Sequence, residues 1–255
     1  MEPISLVASD IDGTLLLGGA TAIDPEIFEQ IRRLKQKGIA FCAASGRQYT
    51  SLRRLFAPVA DEILYICENG AISYRGGAPV DKTPMDRALC NRLIAQILAR
   101  GDSEVLISGA DTSYLIPKSP KMVDRMRYFT GNNVAVVSHP DEIPEEIIKV
   151  SAFCPDGAVA AEPEFTPVWS PYFHVAIAGE AWVDLTLADK GSGLRALCRA
   201  LGIPLARVMA FGDNYNDLPM LEAAGRPYLM AGAAGALLRL PFPHCANVLD
   251  ILRTL

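Results

Sequence analysis

The chain has 255 residues, 50% of them hydrophobic and 21% charged, with a formal net charge of −5. That length accommodates one large domain or two smaller ones. The acidic balance excludes a general nucleic-acid-binding surface, though not a local basic pocket. No basic-then-apolar leader opens the chain and no apolar run reaches the roughly 18 residues of a membrane span, so the expectation is a cytoplasmic protein with no membrane partner. The six cysteines (Cys42, Cys67, Cys90, Cys154, Cys198, Cys245) form no C-x-x-C pair, and several lie in apolar runs, which favours buried thiols over a zinc or disulfide framework.

In chain order, the first third alternates strand and helix. Ile4–Ser9 reads as a buried strand. Asp24 and Pro25 supply an N-cap and a first-turn proline; Ile27, Ile31 and Leu34 recur at helical spacing; Gly38 stands where a helix ends. Ile39–Ser45 and Ile63–Cys67 read as further buried strands, separated by a helical stretch at 48–56, and "AISYRGG" opens a hairpin. Uniformly apolar strands joined by helices predict a parallel sheet covered on both faces.

The middle differs. A helix is expected near Met85–Arg100, a hairpin in "SEVLISGADTSYLI", and strands at Val134–Ser138, Ile147–Phe153, Tyr172–Ala178 and Trp182–Leu187, with helical pieces at Lys121–Thr130 and about Gly157–Phe165. Strand pairs mixed with helices predict an α+β insert. The last third returns to alternation: a helix over Lys190–Leu201, a strand at Arg207–Phe211, a helix at Asp217–Ala224, a short strand near Tyr228–Met230 and a closing helix in "NVLDILRTL".

Four polar motifs follow the core strands: "DIDGT" (10–14), "SGR" (45–47), "DKGSG" (189–193) and "GDNYND" (212–217). The carboxyl ends of parallel strands share one edge, where open α/β folds bind ligands. Asp10 and Asp12 could be turn formers before Gly13, yet two charges about 4 Å apart in a partly buried place repel by about 4 kcal/mol, a poor choice for a turn alone. An EF-hand loop counted from Asp10 would need Gly and Glu where Leu15 and Thr21 stand. Ser45, Gly46 and Lys190 taken singly are unremarkable loop and helix-start residues. Together with Asp213 and Asp217 they form a phosphoryl-transfer set: carboxylates that need a divalent cation, an oxygen-only shell that suits Mg²⁺, and a lysine, a hydroxyl and backbone N–H groups for phosphate oxygens.

The order D-x-D-G-T, S-G-R, K-G, G-D-x-x-N-D resembles the haloacid dehalogenase (HAD) superfamily of phosphatases over the whole chain. The insert and "ENGA" (68–71) are similar to its Cof-like subgroup, which carries a C2-type α/β cap. The resemblance implies a Rossmann-like α/β core at 1–80 and 187–255 with a specificity cap at 81–186. It implies Asp10 as nucleophile and metal ligand, and Asp12 as general acid/base with its carbonyl on the metal. Ser45 and Lys190 become phosphate-holding catalytic groups, Asp213 a metal ligand and Asp217 a support of the metal shell. Gly46, Arg47, Asn69 and Asn216 fall where the subgroup meets substrate. One departure is the stretch "LMAGAAGALL", with no Asn at or beside Gly232 where the subgroup carries an Asn-Ala pair.

The expectation is a Mg²⁺-dependent phosphoric monoester hydrolase of small phosphorylated metabolites, sugar phosphates first, acting as a monomer or weak homodimer. A phosphomutase using the same aspartyl-phosphate and a non-catalytic phospho-ligand module remain as alternatives. A receiver domain is about half this length and places its phospho-accepting Asp on a later strand than its acidic pair, against the D-x-D-G-T arrangement. Lys118, Lys121, Arg125 and Arg127 could make a cationic cap surface, though a solvated helix face is the plainer reading.

Overall fold

The computed structural model describes residues 2–255, with Phe129 described by its backbone alone. The chain forms two compact units: one of the residues up to Ser45, Leu52–Asp81 and Asp189–Leu255, the other of Gly46–Ser51 and Lys82–Ala188. In chain order the elements are β1 (Leu6–Ser9), α1 (Pro25–Gln36), β2 (Ala40–Ala44), α2 (Tyr49–Leu55), β3 (Leu64–Cys67), β4 (Ile72–Arg75) and β5 (Ala78–Lys82). Then come α3 (Arg87–Ala99), β6 (Glu104–Ser108), β7 (Ser113–Leu115), α4 (Pro120–Asp124), β8 (Val134–Val136), β9 (Lys149–Phe153), α5 (Ala158–Trp169), β10 (His174–Ala178) and β11 (Trp182–Thr186). The chain closes with α6 (Lys190–Leu201), β12 (Val208–Gly212), α7 (Leu218–Ala223), β13 (Arg226–Met230), β14 (His244–Cys245) and α8 (Val248–Leu252).

The first unit is built on an eight-stranded sheet in the order β14-β13-β12-β1-β2-β3-β4-β5, parallel from β14 to β3, with β4 antiparallel to β3. Strands β1, β3 and β12 are buried along their whole length, as unbroken apolar runs in a doubly covered sheet must be. Helix α1 starts where Asp24 accepts from the Glu26 N–H at 2.9 Å and seats Ile27, Ile31 and Leu34 in the core. Gly38, at φ +74°, then turns the chain into β2. The strand order reverses beside β1, between β2 and β12, so the loops leaving β1 and β12 flank the switch point where such sheets bind ligands.

The second unit has a six-stranded sheet, β10-β11-β9-β6-β7-β8, antiparallel except for β7–β8. Val105, Ile107, Val150, Ala152, Val183 and Leu185 on one face join Leu93, Ile97, Phe165 and Trp169 of α3 and α5 in a single apolar cluster. Together the two units make an α/β fold with an α+β insert.

Two helix expectations need correction. Helix α5 runs on to Trp169 through Pro163 and Pro167 instead of stopping near Phe165. Burial of the Trp169 ring, whose Nε1–H donates to Gln96 Oε1 at 2.8 Å, outweighs the missing proline N–H groups. The helix expected over Lys121–Thr130 is a short α4 followed by a wider π turn at Arg125–Phe129. Strand β14, two residues long, carries no periodic signal and is set by its pairing with β13. The stretch Gly46–Ser51, placed in the core from the sequence, groups with the second unit. There the Gln48 amide donates to Asp111 O at 3.3 Å and the Ser51 hydroxyl to Thr130 O at 2.6 Å. None of the six cysteines is in a disulfide and all are buried. Among the described residues no helix is long and apolar enough to cross a membrane.

Candidate active site

Asp10 and Asp213 each follow their strand by one residue, on the adjacent parallel strands β1 and β12, and the Asp10 N–H donates to Phe211 O at 3.0 Å. Residues more than 200 positions apart in sequence are thereby brought close. Lys190 is the first residue of α6, whose N-cap Asp189 accepts from the Ser192 N–H at 2.6 Å while Ser192 Oγ accepts from the Asp189 N–H at 2.9 Å. That cap fixes where the lysine departs. Its Nζ donates to Asp10 Oδ1 and Asp217 Oδ1, both at 2.6 Å, with Lys190 only 1% exposed.

One carboxylate oxygen each of Asp10, Asp213 and Asp217 lies within 4.8 Å of the others. Asp217, expected to support the metal shell, already has Oδ1 on Lys190, and its Oδ2 accepts from the N–H groups of Asp213 and Asn214 at 3.0 Å each. It therefore braces the lysine and the loop that carries Asp213. Asp10 Oδ2 is buried and has no hydrogen-bond partner among the described residues. Three carboxylates facing one ammonium leave negative charge in excess. Burial, then Asp217 and Asp213, push the Asp10 carboxyl up from 3.8 to about 8 against the pull of Lys190. Burial and Asp217 likewise raise Asp213. Lys190 would be lowered by its burial, but Asp10 and Asp217 more than compensate and hold it above the ordinary lysine value.

The orphan oxygen of Asp10 and the half-buried Asp213 carboxylate fit a hard divalent cation, which takes oxygen ligands and cancels their repulsion. Space beside them is kept by Gly13 (φ +93°), where a Cβ would come 2.1 Å from Asp213 Oδ2. Thr14, absent from the sequence-derived set, donates from Oγ1 to Asp213 Oδ1 at 3.4 Å. Its signal was the "DGT" triplet itself.

The remaining expected residues divide. Asp12 is exposed, in a bridge with Leu16, and stands outside the carboxylate cluster. Ser45 is 2% exposed, its N–H on Ile66 O at 2.9 Å and its carbonyl accepting from Asn69 N–H at 3.1 Å. Asn69 in turn accepts from the Asn216 amide at 3.2 Å, so the second, third and fourth motifs meet around the "ENG" turn. In that turn Glu68 and Asn69 both hold left-handed backbone (φ 51° and 55°), and Gly70 sits so close to the Asp189 carbonyl that a Cβ would lie 2.0 Å from it. Strain of that kind persists only where the surroundings enforce it. Gly46 and Arg47 belong to the second unit, where the Gly46 carbonyl accepts from Lys149 at 3.0 Å. In the supposed cationic surface, Arg125 lies over the Phe153 ring at 4.8 Å and Lys118 donates to Arg100 O, so two of the four are committed elsewhere. Gly232, at the departure noted in the sequence, is exposed in a turn with open space around it.

A family model described as haloacid dehalogenase-like hydrolase matches residues 7–239. The chain belongs to the haloacid dehalogenase-like hydrolases. Among its HAD relatives, the 5-amino-6-(5-phospho-D-ribitylamino)uracil phosphatase YbjI of Escherichia coli (strain K12) is 29% identical over 244 residues, spanning 92% of this chain and 88% of its own. The HMP-PP phosphatase of Citrobacter koseri is 25% identical over 252 residues, spanning 95% and 91%. A crystal structure from Eubacterium rectale superposes with a TM-score of 0.83 at 32% identity over 98% of each chain. The fold is shared with a HAD subclass IIB sugar phosphatase at a TM-score of 0.81 and 22% identity over 98% and 97% of the two chains. The chain is thus a HAD-type phosphatase.

Proposed function

We propose that this HAD phosphatase is Mg²⁺-dependent and hydrolyses small phosphorylated metabolites, sugar phosphates or similar monoesters, through an aspartyl-phosphate on Asp10. The observation that carries the reading is the buried Asp10 carboxylate, with one oxygen on Lys190 and the other without a partner beside Asp213. Asp10 and Asp213 would hold the cation, together with the Asp12 carbonyl. Bound there, it would offset the carboxylate charge and the charge that builds on the phosphate oxygens.

An Asp10 oxygen attacks phosphorus and the bond to the leaving oxygen breaks, while Asp12 delivers the proton that this oxygen needs. Asp12 then takes a proton from water as the water oxygen attacks the acyl phosphate, releasing inorganic phosphate and restoring Asp10. Lys190 and Ser45 hold non-bridging phosphate oxygens, and Asn69 and Asn216 line the approach. Asp217 keeps Lys190 pointed at Asp10. Six cysteines outside any disulfide suit a cytoplasmic setting.

The test is phosphate release from an aryl phosphate, followed by a panel of sugar phosphates, nucleotides and cofactor phosphates. Turnover that is lost with EDTA and regained with Mg²⁺, and lost in Asp10→Asn, is the expected result. Undiminished activity of Asp10→Asn would remove the nucleophile from this scheme.

A further inference from the structure

We propose that Lys149 is a positioning residue for the phosphate-holding turn that begins at Ser45, and that Asp184 and Ser151 exist to hold it there. The proposal rests on the reading of Ser45 as a phosphate ligand.

The second unit's sheet has two unlike faces. Val150, Ala152, Val183 and Leu185 point into the apolar cluster. Lys149, Ser151, Asp184 and Thr186 alternate with them on the other face, and all four are less than 5% exposed. In the β9–β11 register Ser151 pairs with Asp184 and Lys149 with Thr186. The Ser151 hydroxyl donates to Asp184 Oδ1 at 2.6 Å, and Lys149 Nζ stands 3.5 Å from Asp184 Oδ2. A buried ion pair is poor value as a stabiliser, since desolvation offsets most of the attraction and an apolar pair often does as well. Its worth is in what it fixes. Here Lys149 Nζ donates at 3.0 Å to the carbonyl of Gly46, the residue that follows Ser45.

That carbonyl and the Arg47 N–H belong to one planar trans peptide and point opposite ways. Holding the oxygen on Lys149 therefore aims the Arg47 N–H away from it and limits the ψ of Gly46, which has no side chain to limit it. The rest of the segment is held in the same manner. Gln48 donates to Asp111 O at 3.3 Å and accepts from Asn133 N–H at 2.8 Å, and Ser51 donates to Thr130 O at 2.6 Å. Lys149 is the charged member of this set, and the residue it grips, Gly46, is the one next to Ser45. Loss of its grip frees the glycine peptide and weakens phosphate binding, and leaves the nucleophile untouched.

Removing Lys149 alone strands a buried carboxylate, so the informative variant is Lys149→Met combined with Asp184→Asn, which removes both charges and leaves Ser151 a partner. The measurements are thermal denaturation, the inhibition constant of inorganic phosphate, and KM and kcat on an aryl phosphate. The expected result is a folded protein in which the phosphate inhibition constant and KM both rise about tenfold, the scale of one charge-assisted hydrogen bond, with a smaller change in kcat. Lys149→Arg, which retains a charged donor, should recover most of the loss. A folded double variant with wild-type phosphate inhibition, or a Lys149→Arg no better than the double variant, overturns the proposal. A general loss of folded enzyme would lower apparent kcat and leave the inhibition constant where it was, and that outcome also overturns it. Parallel assays of the wild type and Asp10→Asn separate the two readings. An inert wild type or a fully active Asp10→Asn sinks the phosphatase mechanism, whereas unchanged Lys149 variants beside an inactive Asp10→Asn sink only the positioning role.

Discussion

Each unit buries a cluster of charge, and the two clusters are balanced differently. In the second unit Lys149 meets Asp184, and Ser151 satisfies the carboxylate further. In the first unit Asp10, Asp213 and Asp217 share the single ammonium of Lys190, and one oxygen of Asp10 has no partner among the described residues. A balanced buried cluster can be scaffold. An unbalanced one requires something else, because uncompensated buried charge is expensive. The surplus in the first unit therefore points to a cation and to chemistry, and the ion pair of the second points to positioning.

The largest expected effect comes from removing the surplus at its centre. Asp10→Asn should cut aryl phosphate turnover by at least about a thousandfold, as loss of a nucleophile does, while its thermal midpoint in EDTA stays level or rises because a repelling charge is gone. A fall in stability instead would mean that the cluster is balanced after all. Next is Gly13→Ala. A methyl group 2.1 Å from Asp213 Oδ2, at a φ of +93°, must push that carboxylate aside, so the Mg²⁺ concentration for half-maximal activity should rise by about tenfold or more.

Asp217→Asn is expected to be milder than Asp10→Asn. It keeps a side chain that can meet the Asp213 and Asn214 N–H groups through its oxygen but loosens Lys190, so kcat should drop by about ten- to a hundredfold with little change in the midpoint. The smallest effect is on stability against pH. The Asp10 carboxyl is raised from 3.8 unfolded to about 8 folded, so its contribution is complete below about pH 4 and is lost as pH climbs toward 8. In EDTA the thermal midpoint should decline across that window. Mg²⁺ should raise it more at pH 8 than at pH 5, since proton and cation compete for the same oxygens. A Mg²⁺ effect that is the same at both pH values would contradict the unbalanced cluster.

Much of the first unit was legible because its strands are continuous apolar runs and its helices are capped by local rules, as Asp24, Pro25 and Gly38 show for α1. The meeting of Asp10, Asp213, Asp217 and Lys190 was foreshadowed because polar residues stood close after such strands. Less visible were elements decided by distant partners. Helix α5 continues through two prolines for the burial of Trp169, and β14 exists only as the neighbour of β13. The "ENG" turn was read as a family mark, whereas its two left-handed residues and the close approach of Gly70 to Asp189 are properties of packing.

The sequence by itself determined the alternating architecture, the α+β insert and which polar residues follow the core strands, because hydrophobic period, capping and turn chemistry act over a few residues. Tertiary structure alone decided how those residues share the work. Asp217 is turned onto Lys190 and two backbone N–H groups, Asp12 stands outside the carboxylate cluster, and Gly46 is gripped by a lysine 103 positions away. Such assignments depend on which oxygen meets which donor within about 3 Å, a distance that chain spacing does not encode.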